Sequence, residues 1–196
     1  MLTNEEGEAG LKLAREAIKK YLTEQQVRLK PPEPGGEVLP PCFEEKGGVF
    51  VTLTKHGTLR GCIGYPYPVF KLKEAIVGAA VSAAVSDPRF PPVTEEELGD
   101  LRIEITILTP PRVLRAKPKD LPAQIKIGKH GLIVKRGMQQ GLLLPQVATE
   151  NKWSAEEFLC QTCWKAGLPQ DAWLQEGTEV STFEGQIFTE EKCDSD

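Results

Sequence analysis

The chain lacks most of the sequence patterns that identify a function on their own. It has only two histidines among 196 residues, and no stretch approaches the about 20 consecutive apolar residues of a membrane-spanning helix. The acidic start, Met1 to Lys12, has no apolar h-region of the kind found in signal peptides. There is no Gly-rich phosphate loop, His-Glu-x-x-His helix, Ser-His-Asp order or set of aromatics for stacking RNA bases. We therefore expect no membrane span, no cofactor and no metal site.

The net charge and the cysteine content narrow the class of protein further. A net charge of −4 opposes a nucleic-acid binder held by phosphate attraction, so a nucleic-acid-related role ranks third among the functions considered below. The five cysteines are an odd number and no secretory pattern precedes them, so we expect reduced thiols. These features predict a cytoplasmic protein.

Hydrophobic periodicity predicts both helices and strands. Apolar residues at helical spacing predict a first helix from about Glu5 to Leu29, followed by a proline-rich connector from Lys30 to Pro41. A second helix is expected from Val69 to Ser86, and its small residues would let it lie close to a sheet. Strands that belong to this sheet are predicted at 49–54, 59–64, 101–109 and 180–188.

Later elements suggest a smaller lobe. Short apolar runs predict strands at 125–127, 132–134 and 142–144, and Ser154 with Glu157 forms a capping box for a helix through Trp164. The elements lack a regular βαβ rhythm, which favours the α+β class with a mainly antiparallel sheet flanked by helices. We expect one domain, 1–196, with a large subdomain of about 5–115 plus 146–190, a β-rich lobe of about 116–145, and a cleft between them.

The hexapeptide Leu59-Arg60-Gly61-Cys62-Ile63-Gly64 is the most informative stretch. It follows the strand at 49–54 and a tight connection that ends in Gly57. A three-residue loop there would pair Leu53 with Leu59 and Val51 with Gly61. Because alternate residues of a strand share a face, this register places Arg60 and Cys62 side by side, opposite the aliphatic residues.

Cys62 is the candidate nucleophile of this motif. A thiol beside a guanidinium is an arrangement that stabilises thiolate. Strand geometry offers Arg60 as this cation, and Arg89, in the loop after the second helix, is a further candidate. The alternative is a small buried residue packed under the second helix, because free cysteines are among the most buried residues. The candidate base is His130, for which the alternative is a turn residue that tolerates unusual backbone angles.

Other residues are candidates for binding a ligand. Gly61 and Gly64 leave the strand backbone open to close approach. Glu104 points away from the isoleucines of its strand, so it either shares the polar face with Arg60 or forms a cross-strand ion pair. Gln146 either binds a ligand or caps and solvates its helix. The predicted binding set is Arg60, Gly61, Gly64, Asp87, Arg89, Phe90, Glu104 and Gln146.

The remaining cysteines give weaker signals. Cys160 and Cys163 form a Cys-x-x-Cys pair, but the pair lies within a predicted helix rather than at a helix N-terminus, where a thiol pKa is depressed. A zinc site would need two further ligands at motif spacing. Packing is therefore the favoured interpretation of this pair, and Cys42 and Cys193 carry no functional signal.

The hexapeptide is the first of several blocks that follow one another along about residues 48–188. The later blocks are Asp87–Pro92, Ile105–Pro111, His130–Val134, Gly141–Ala148 and Cys163–Leu168. Together they resemble the AMMECR-type family, which is named after a candidate region for a human syndrome. The resemblance implies a fold and a candidate site more than a reaction, because the biochemical activity of that family is not established.

Two classes of function agree with these observations. The first is an enzyme or enzyme subunit that binds a small molecule or a modified side chain in a cleft beside Leu59–Gly64. The second is a non-catalytic adaptor for a peptide or a partner protein. Prokaryotic members of the family resemble partners of Memo-like dioxygenases and radical-SAM proteins, which are therefore the implied candidates. A polar cleft with a perturbed thiol favours the enzyme, and a shallow apolar groove with an unreactive Cys62 favours the adaptor.

Overall fold

The computed structural model describes residues 2–23 and 39–190, which divide into two compact units. The first unit comprises Met1–Leu108 with Gln186–Asp196, and the second comprises Thr109–Gly185. Within the described residues, no helix combines the length and the apolar character that crossing a membrane requires.

The first unit begins with helix α1, Asn4–Thr23. Its apolar stripe of Leu11, Ala14 and Ile18 is buried, as the spacing of these residues predicts. The predicted continuation of this helix to Leu29, and most of the predicted proline-rich connector, lie outside the described residues.

Strands β1 (Gly48–Lys55) and β2 (Thr58–Tyr65) form an antiparallel hairpin. Their turn consists of two residues with positive φ, His56 at 49° and Gly57 at 80°, as a type I′ turn requires. The resulting register pairs Leu53 with Gly61 on the two strands.

The predicted hairpin register, Leu53 with Leu59 and Val51 with Gly61, is wrong. The turn is one residue shorter than predicted, and a bulge next to the pairing of Leu53 absorbs Arg60 as an extra residue of β2. Leu59, which the prediction placed on the buried face, is 39% exposed as a result. Gly61 takes the buried position opposite Leu53.

Helix α2 (Leu72–Val85) packs closely on this hairpin through its small residues. The Ala83 carbonyl oxygen lies in the space that a β-carbon on Gly61 would need. Strand β3 (Leu101–Leu108) pairs antiparallel with β1. The core of the unit is apolar and comes from both helices and from the inner face of the strands, including Ile18, Val49, Val51, Leu53, Ile76, Ile103 and Ile105.

The second unit is built on further antiparallel strands. In chain order its elements are β4 (Arg112–Val113), α3 (Leu121–Gln124), β5 (His130–Arg136), β6 (Gln139–Leu143), α4 (Pro145–Glu150), α5 (Ala155–Lys165) and β7 (Glu179–Thr189). Strand β7 pairs with β4 and with β5, and β5 pairs with β6. The residues of β7 up to Gly185 belong to this unit, and its last residues belong to the first.

Two of the three short strands predicted in this region are present, in β5 and β6. The third, Ile125–Ile127, is not a strand. Ile125 instead follows α3 directly, donates its N–H to the Pro122 carbonyl and is buried in the apolar core of the unit. An apolar run of three residues is too short for periodicity to distinguish a strand from a buried turn.

The predicted capping box of helix α5 is confirmed. Ser154 Oγ accepts the Glu157 N–H at 3.2 Å, and the Glu157 carboxylate accepts the Ser154 N–H at 2.8 Å. The α+β class with antiparallel sheet flanked by helices is also confirmed, since the strand pairings described are antiparallel.

The bounds of the two units differ from those of the predicted lobes. Residues 146–185, which the prediction assigned to the large subdomain, belong to the second unit together with 109–145. The reason is packing: helix α5 covers β5 and β6 and buries Phe158 and Leu159 in one cluster with Leu132.

Candidate functional site

Cys62 lies in a cross-strand row of polar side chains in the first unit. It pairs with Thr52 on β1, and Thr52 pairs with Glu104 on β3. The row faces away from α2, because Gly61, the neighbour of Cys62, points toward that helix. Thr52 Oγ1 donates a hydrogen bond to Cys62 Sγ at 3.4 Å, and all three side chains are half-buried. The sulfur therefore has a hydroxyl donor within the sheet itself.

Asp87 anchors the edge of β2 at Cys62. This carboxylate, only 4% exposed, accepts the Cys62 backbone N–H at 2.9 Å. It also accepts hydrogen bonds from Nε and Nη2 of Arg89 at 2.9 and 2.7 Å. The Arg89 guanidinium holds the pKa of Asp87 well below its usual range. One buried charge thus fixes both the strand backbone and the arginine.

Arg89 is the cation that the structure places beside Cys62. Its Nη2 donates to the Cys62 carbonyl oxygen at 3.2 Å, and the Cys62 side chain adds to the effect of Asp87 in raising the Arg89 pKa. The guanidinium also lies 5.4 Å from the ring centroid of Phe90, and the Arg89 side chain is 54% exposed. Cys62, Asp87, Arg89 and Phe90 are therefore brought together, as the sequence predicts.

Arg60 has a different partner from the one predicted. Since the bulge displaces it from the regular alternation of β2, its guanidinium binds the Glu97 carboxylate at 2.9 Å and the Pro91 carbonyl at 2.8 Å. The hydrogen bond from Arg60 to Glu97 is the largest cause that lowers the pKa of this carboxyl to about 2. Arg60 holds the loop before β3 in place, while Arg89 takes the position near the thiol.

Other atoms of the protein fill the space next to the two glycines of the motif, Gly61 and Gly64. Gly61 accommodates the Ala83 carbonyl, and Gly64 lies beneath the ring of Phe50, its partner on β1. The close approach predicted at both glycines therefore exists, but helix α2 and an aromatic ring make it.

Glu104 is on the face that the sequence predicts. It joins the row of Cys62 through Thr52 and accepts a hydrogen bond from Thr189 Oγ1 at 3.4 Å. Its alternative interpretation, a cross-strand ion pair, has no counterpart among the described residues. The hydrogen bond from Thr52 to the sulfur was not predicted from the sequence, because it depends on the true register of the hairpin.

His130 and Gln146 belong to the second unit. His130 pairs with Glu184 across β5 and β7; its Nδ1 accepts the Lys126 N–H at 3.2 Å, and its Nε2 lies 3.9 Å from the Glu184 carboxylate. Burial lowers the pKa of His130. Gln146 is half-buried in α4. Their predicted place beside Cys62 stays a prediction.

Two other described cysteines, Cys42 and Cys163, have thiol pKa values that burial raises. Cys42 donates to the Glu6 carboxylate at 3.2 Å, and burial raises its thiol pKa to about 11. Cys163 is fully buried in the core of the second unit, and burial raises its pKa to about 11 as well. Among the described residues, no group of three or more potential ligands is arranged for a metal ion.

Comparison with known proteins gives relatives along nearly the whole chain. Protein Mbar_A1807 of Methanosarcina barkeri is 56% identical over 98% of this chain and 94% of its own length. Protein PF1979 of Pyrococcus furiosus is 49% identical over 97% of this chain and 90% of its own. The crystal structure of the uncharacterized protein PH0010 from Pyrococcus horikoshii is 48% identical, with a TM-score of 0.88, and covers 97% of this chain and 94% of that one.

The family model described as AMMECR1 matches residues 11–188. The match spans the hexapeptide, the Asp87–Phe90 segment and both compact units. The motifs, the relatives and the shared fold lead to one conclusion: this chain belongs to the AMMECR1 family.

Proposed function

We propose that the protein is an enzyme or enzyme subunit that binds a small molecule or a modified side chain on the Cys62 face of the first unit. The observation that carries this proposal is the double role of Asp87, which fixes both the Cys62 backbone and the Arg89 guanidinium. A buried charge that positions an exposed cation beside a thiol is typical of a preorganised site.

The surroundings of the sulfur support a nucleophilic role for Cys62. Thr52 donates a hydrogen bond to the sulfur, and the Arg89 guanidinium is adjacent. Hydrogen-bond donors and cations next to a sulfur stabilise its anionic form, which is the reactive one. Glu104, in the same row, is the carboxylate of this face that can exchange a proton with the ligand, while His130 remains the predicted base.

Arg89 also indicates the chemistry of the ligand. Its Nε and Nη2 are held by Asp87, and Nη1 has no hydrogen-bond partner in the part of the chain that the structure describes. An exposed guanidinium N–H with fixed orientation binds carboxylate or phosphate oxygens well. We therefore propose a ligand with an anionic group that contacts Arg89 while its reacting atom lies near Cys62.

Alkylation of the cysteines tests the proposal. Iodoacetamide labelling near pH 7, followed by mass spectrometry, reads all five cysteines in one experiment. Cys62 should label before Cys42 and Cys163, whose thiol pKa values are raised to about 11. Arg89→Gln should slow labelling of Cys62 at least about threefold, because it removes the adjacent cation.

The matched control is Arg60→Gln, which removes a cation from β2 whose partner is Glu97 rather than the thiol. It should leave the labelling rate of Cys62 within about twofold of the wild type. Because Arg89→Gln also strips Asp87 of its partner, Arg89→Lys serves as a second variant and should retain part of the rate. Equal slowing by Arg60→Gln and Arg89→Gln would contradict the proposal.

The second candidate function is the non-catalytic adaptor, which exposed apolar residues of the first unit favour. Leu59, Val69 and Phe70 are 39%, 59% and 45% exposed, and the Phe70 ring meets Tyr65 edge-on at 5.2 Å. A peptide or partner protein would cover these side chains, and the family resemblance suggests Memo-like or radical-SAM proteins. If Cys62 labels only after the protein unfolds, the adaptor becomes the better supported function.

A further inference from the structure

The row of polar side chains that contains Cys62 continues across the sheet of the first unit. Cys62 pairs with Thr52, Thr52 pairs with Glu104, and the Glu104 carboxylate accepts a hydrogen bond from Thr189 on β7. The Cys62 N–H and C=O are directed away from β1, so the pair with Thr52 is a non-hydrogen-bonded one and the pair of Thr52 with Glu104 is a hydrogen-bonded one. The Cα atoms of Cys62 and Glu104 are therefore about 10 Å apart.

Both long helices of the first unit pack on the other face of this sheet. Gly61 faces α2, and the Ile105 side chain reaches Gly10 of α1. On the face of the polar row, Phe50 lies two positions from Thr52, and its half-buried ring covers Gly64. The row is thus bordered by an aromatic ring that the apolar atoms of a ligand can contact.

Glu104 is an exception among the less exposed carboxylates of this unit. Asp87, Glu97 and Glu190 each bind a guanidinium. Half-buried Glu104 has a single hydrogen bond, from a hydroxyl at 3.4 Å, and no cation within ion-pair distance in residues 2–23 and 39–190. Arg102, on the same face, instead donates to the Glu190 carbonyl oxygen at 2.8 Å. A carboxylate has about four acceptor sites, so most of those of Glu104 are open to a ligand.

The two ends of the row therefore carry opposite charges. Arg89 lies at the edge of β2, where its Nη2 contacts the Cys62 carbonyl oxygen and its side chain is 54% exposed. Glu104 lies two strands away on β3. Charge complementarity with such a row requires an anionic group at one end of the ligand and a cationic group at the other.

We propose that the ligand of the Cys62 face is a zwitterion whose anionic group binds Arg89 and whose amine, as ammonium, binds Glu104. The two groups are separated by about 10 Å, the distance across the three strands, and the apolar atoms between them contact Phe50. This inference rests on the function proposed above, since it adopts Arg89 as the site of the anion. It adds the second charged group of the ligand and the distance between the two.

Binding of ω-amino acids to the full chain tests the proposal. The probe is ω-aminooctanoate, whose extended chain separates a carboxylate from an ammonium by about the required length, and saturation-transfer NMR measures its Kd. It should bind at least about tenfold more tightly than octanoate or octylamine, because each of these lacks one charge-assisted hydrogen bond. The shorter ω-aminobutyrate cannot reach both groups and should bind as weakly as they do. Gluconate, which has hydroxyls in place of the ammonium, is the competing probe.

Substitutions of carboxylates locate the ammonium. Glu104→Gln should reduce the advantage of ω-aminooctanoate over octanoate to within about twofold, whereas Glu104→Asp keeps the charge and should retain part of it. Glu8→Gln, on the exposed face of α1, removes the same charge elsewhere and should change the Kd less than about twofold. Thermal unfolding of each variant distinguishes loss of binding from loss of fold.

The source of the zwitterion is read from one further probe. A Lys-Gly-Glu peptide blocked at both termini carries the two charges on side chains. Weaker binding of the peptide than of ω-aminooctanoate identifies a small molecule as the ligand, and tighter binding identifies side chains of a protein.

The binding assay needs no reaction at Cys62, so this proposal and the proposed function fail separately. If Cys62 resists iodoacetamide while ω-aminooctanoate binds through Glu104, the nucleophilic role is wrong and the zwitterion site stands. If Cys62 labels as proposed, three results would still overturn the zwitterion: binding no tighter than that of octanoate, an advantage that survives Glu104→Gln, or tighter binding of gluconate.

Discussion

At the scale of single residues, Asp87 combines several interactions in one buried carboxylate. It accepts hydrogen bonds from the Cys62 N–H, the Arg89 N–H and the Arg89 guanidinium. The backbone N–H and C=O of Cys62 both point away from β1 and are bound by Asp87 and Arg89. The pair therefore also protects the open edge of β2, where an unpaired strand would otherwise invite association.

Replacing the Asp87 carboxylate tests how much of the site depends on it. Asp87→Asn keeps the size of the side chain but removes the charge-assisted bonds to Arg89, so it should lower the free energy of unfolding by about 2 kcal/mol. Urea unfolding measures this change. Asp100→Asn is the control, since that carboxylate is 48% exposed with contacts of 3.8 Å to Lys55 and His56. It should change stability by less than about 0.5 kcal/mol. Similar effects from both substitutions would contradict this role of Asp87.

The candidate site was predictable in part. The sequence was sufficient to name Cys62, Asp87, Arg89 and Phe90 as candidates. A thiol, paired charges and an aromatic ring within short motifs are typical of catalytic or ligand-binding sites. The choice between the two candidate cations, Arg60 and Arg89, was not predictable. In a regular strand the side chains of Arg60 and Cys62 would lie on the same face. Only the bulge turns Arg60 toward Glu97. Arg89 reaches the thiol from 27 positions along the chain, a long-range contact that strand periodicity does not reveal.

At the scale of elements, the turn of the β1–β2 hairpin determines the site. Lys55-His56-Gly57 is compatible with a three-residue loop or with a two-residue turn, because His tolerates positive φ. The structure has the two-residue form, with His56 at 49°. The shorter turn and the bulge together place Gly61 opposite Leu53 and Cys62 opposite Thr52. The strands were predictable from local alternation, but their register depended on this conformational choice.

The packing of α2 on β2 predicts a strict requirement at Gly61. A β-carbon there would overlap the Ala83 carbonyl, which belongs to a helix backbone and has no flexible end to move aside. Gly61→Ala should therefore destabilise the protein by about 2 kcal/mol, in the range of overpacked cores. Gly99→Ala is the matched control, because nothing lies within 4 Å of the position of its added β-carbon. Thermal or urea unfolding distinguishes them, and equal stability of the two variants would show that α2 adjusts freely.

At the scale of the whole molecule, the fold class was predictable and the division into units was not. Helical and strand periods are local properties of the sequence, so they predict an α+β protein directly. The bounds of the units depend on which strands a helix covers. The sequence of α5 predicts only an amphipathic helix and does not reveal which strands the helix covers. Its packing on β5 and β6 assigns 146–185 to the second unit.

Acid is expected to destabilise the folded chain, because the shifts in carboxyl pKa have the same sign. Arg60 lowers the pKa of Glu97 from 4.5 to about 2, and Arg89 lowers that of Asp87. A carboxyl whose pKa is lowered by folding contributes stability that is complete above its unfolded value and is lost as the pH falls through the folded value. The urea midpoint should therefore fall steeply as the pH decreases from 4.5 to about 2.

His130 should add a shallower decline that begins at a higher pH. Burial lowers its pKa below 6.5, so the neutral ring is favoured in the folded state and its stabilisation is lost as the pH falls below 6.5. Urea midpoints of the wild type measured from pH 8 to about pH 2 should show both declines. His130→Gln should remove the first, and Arg60→Gln should flatten the second because the Glu97 pKa returns toward 4.5. Lys19→Gln, which alters an exposed cation of α1, should leave both unchanged. A midpoint that rises on acidification, or a second decline unaffected by Arg60→Gln, would show that these pairs do not control the stability.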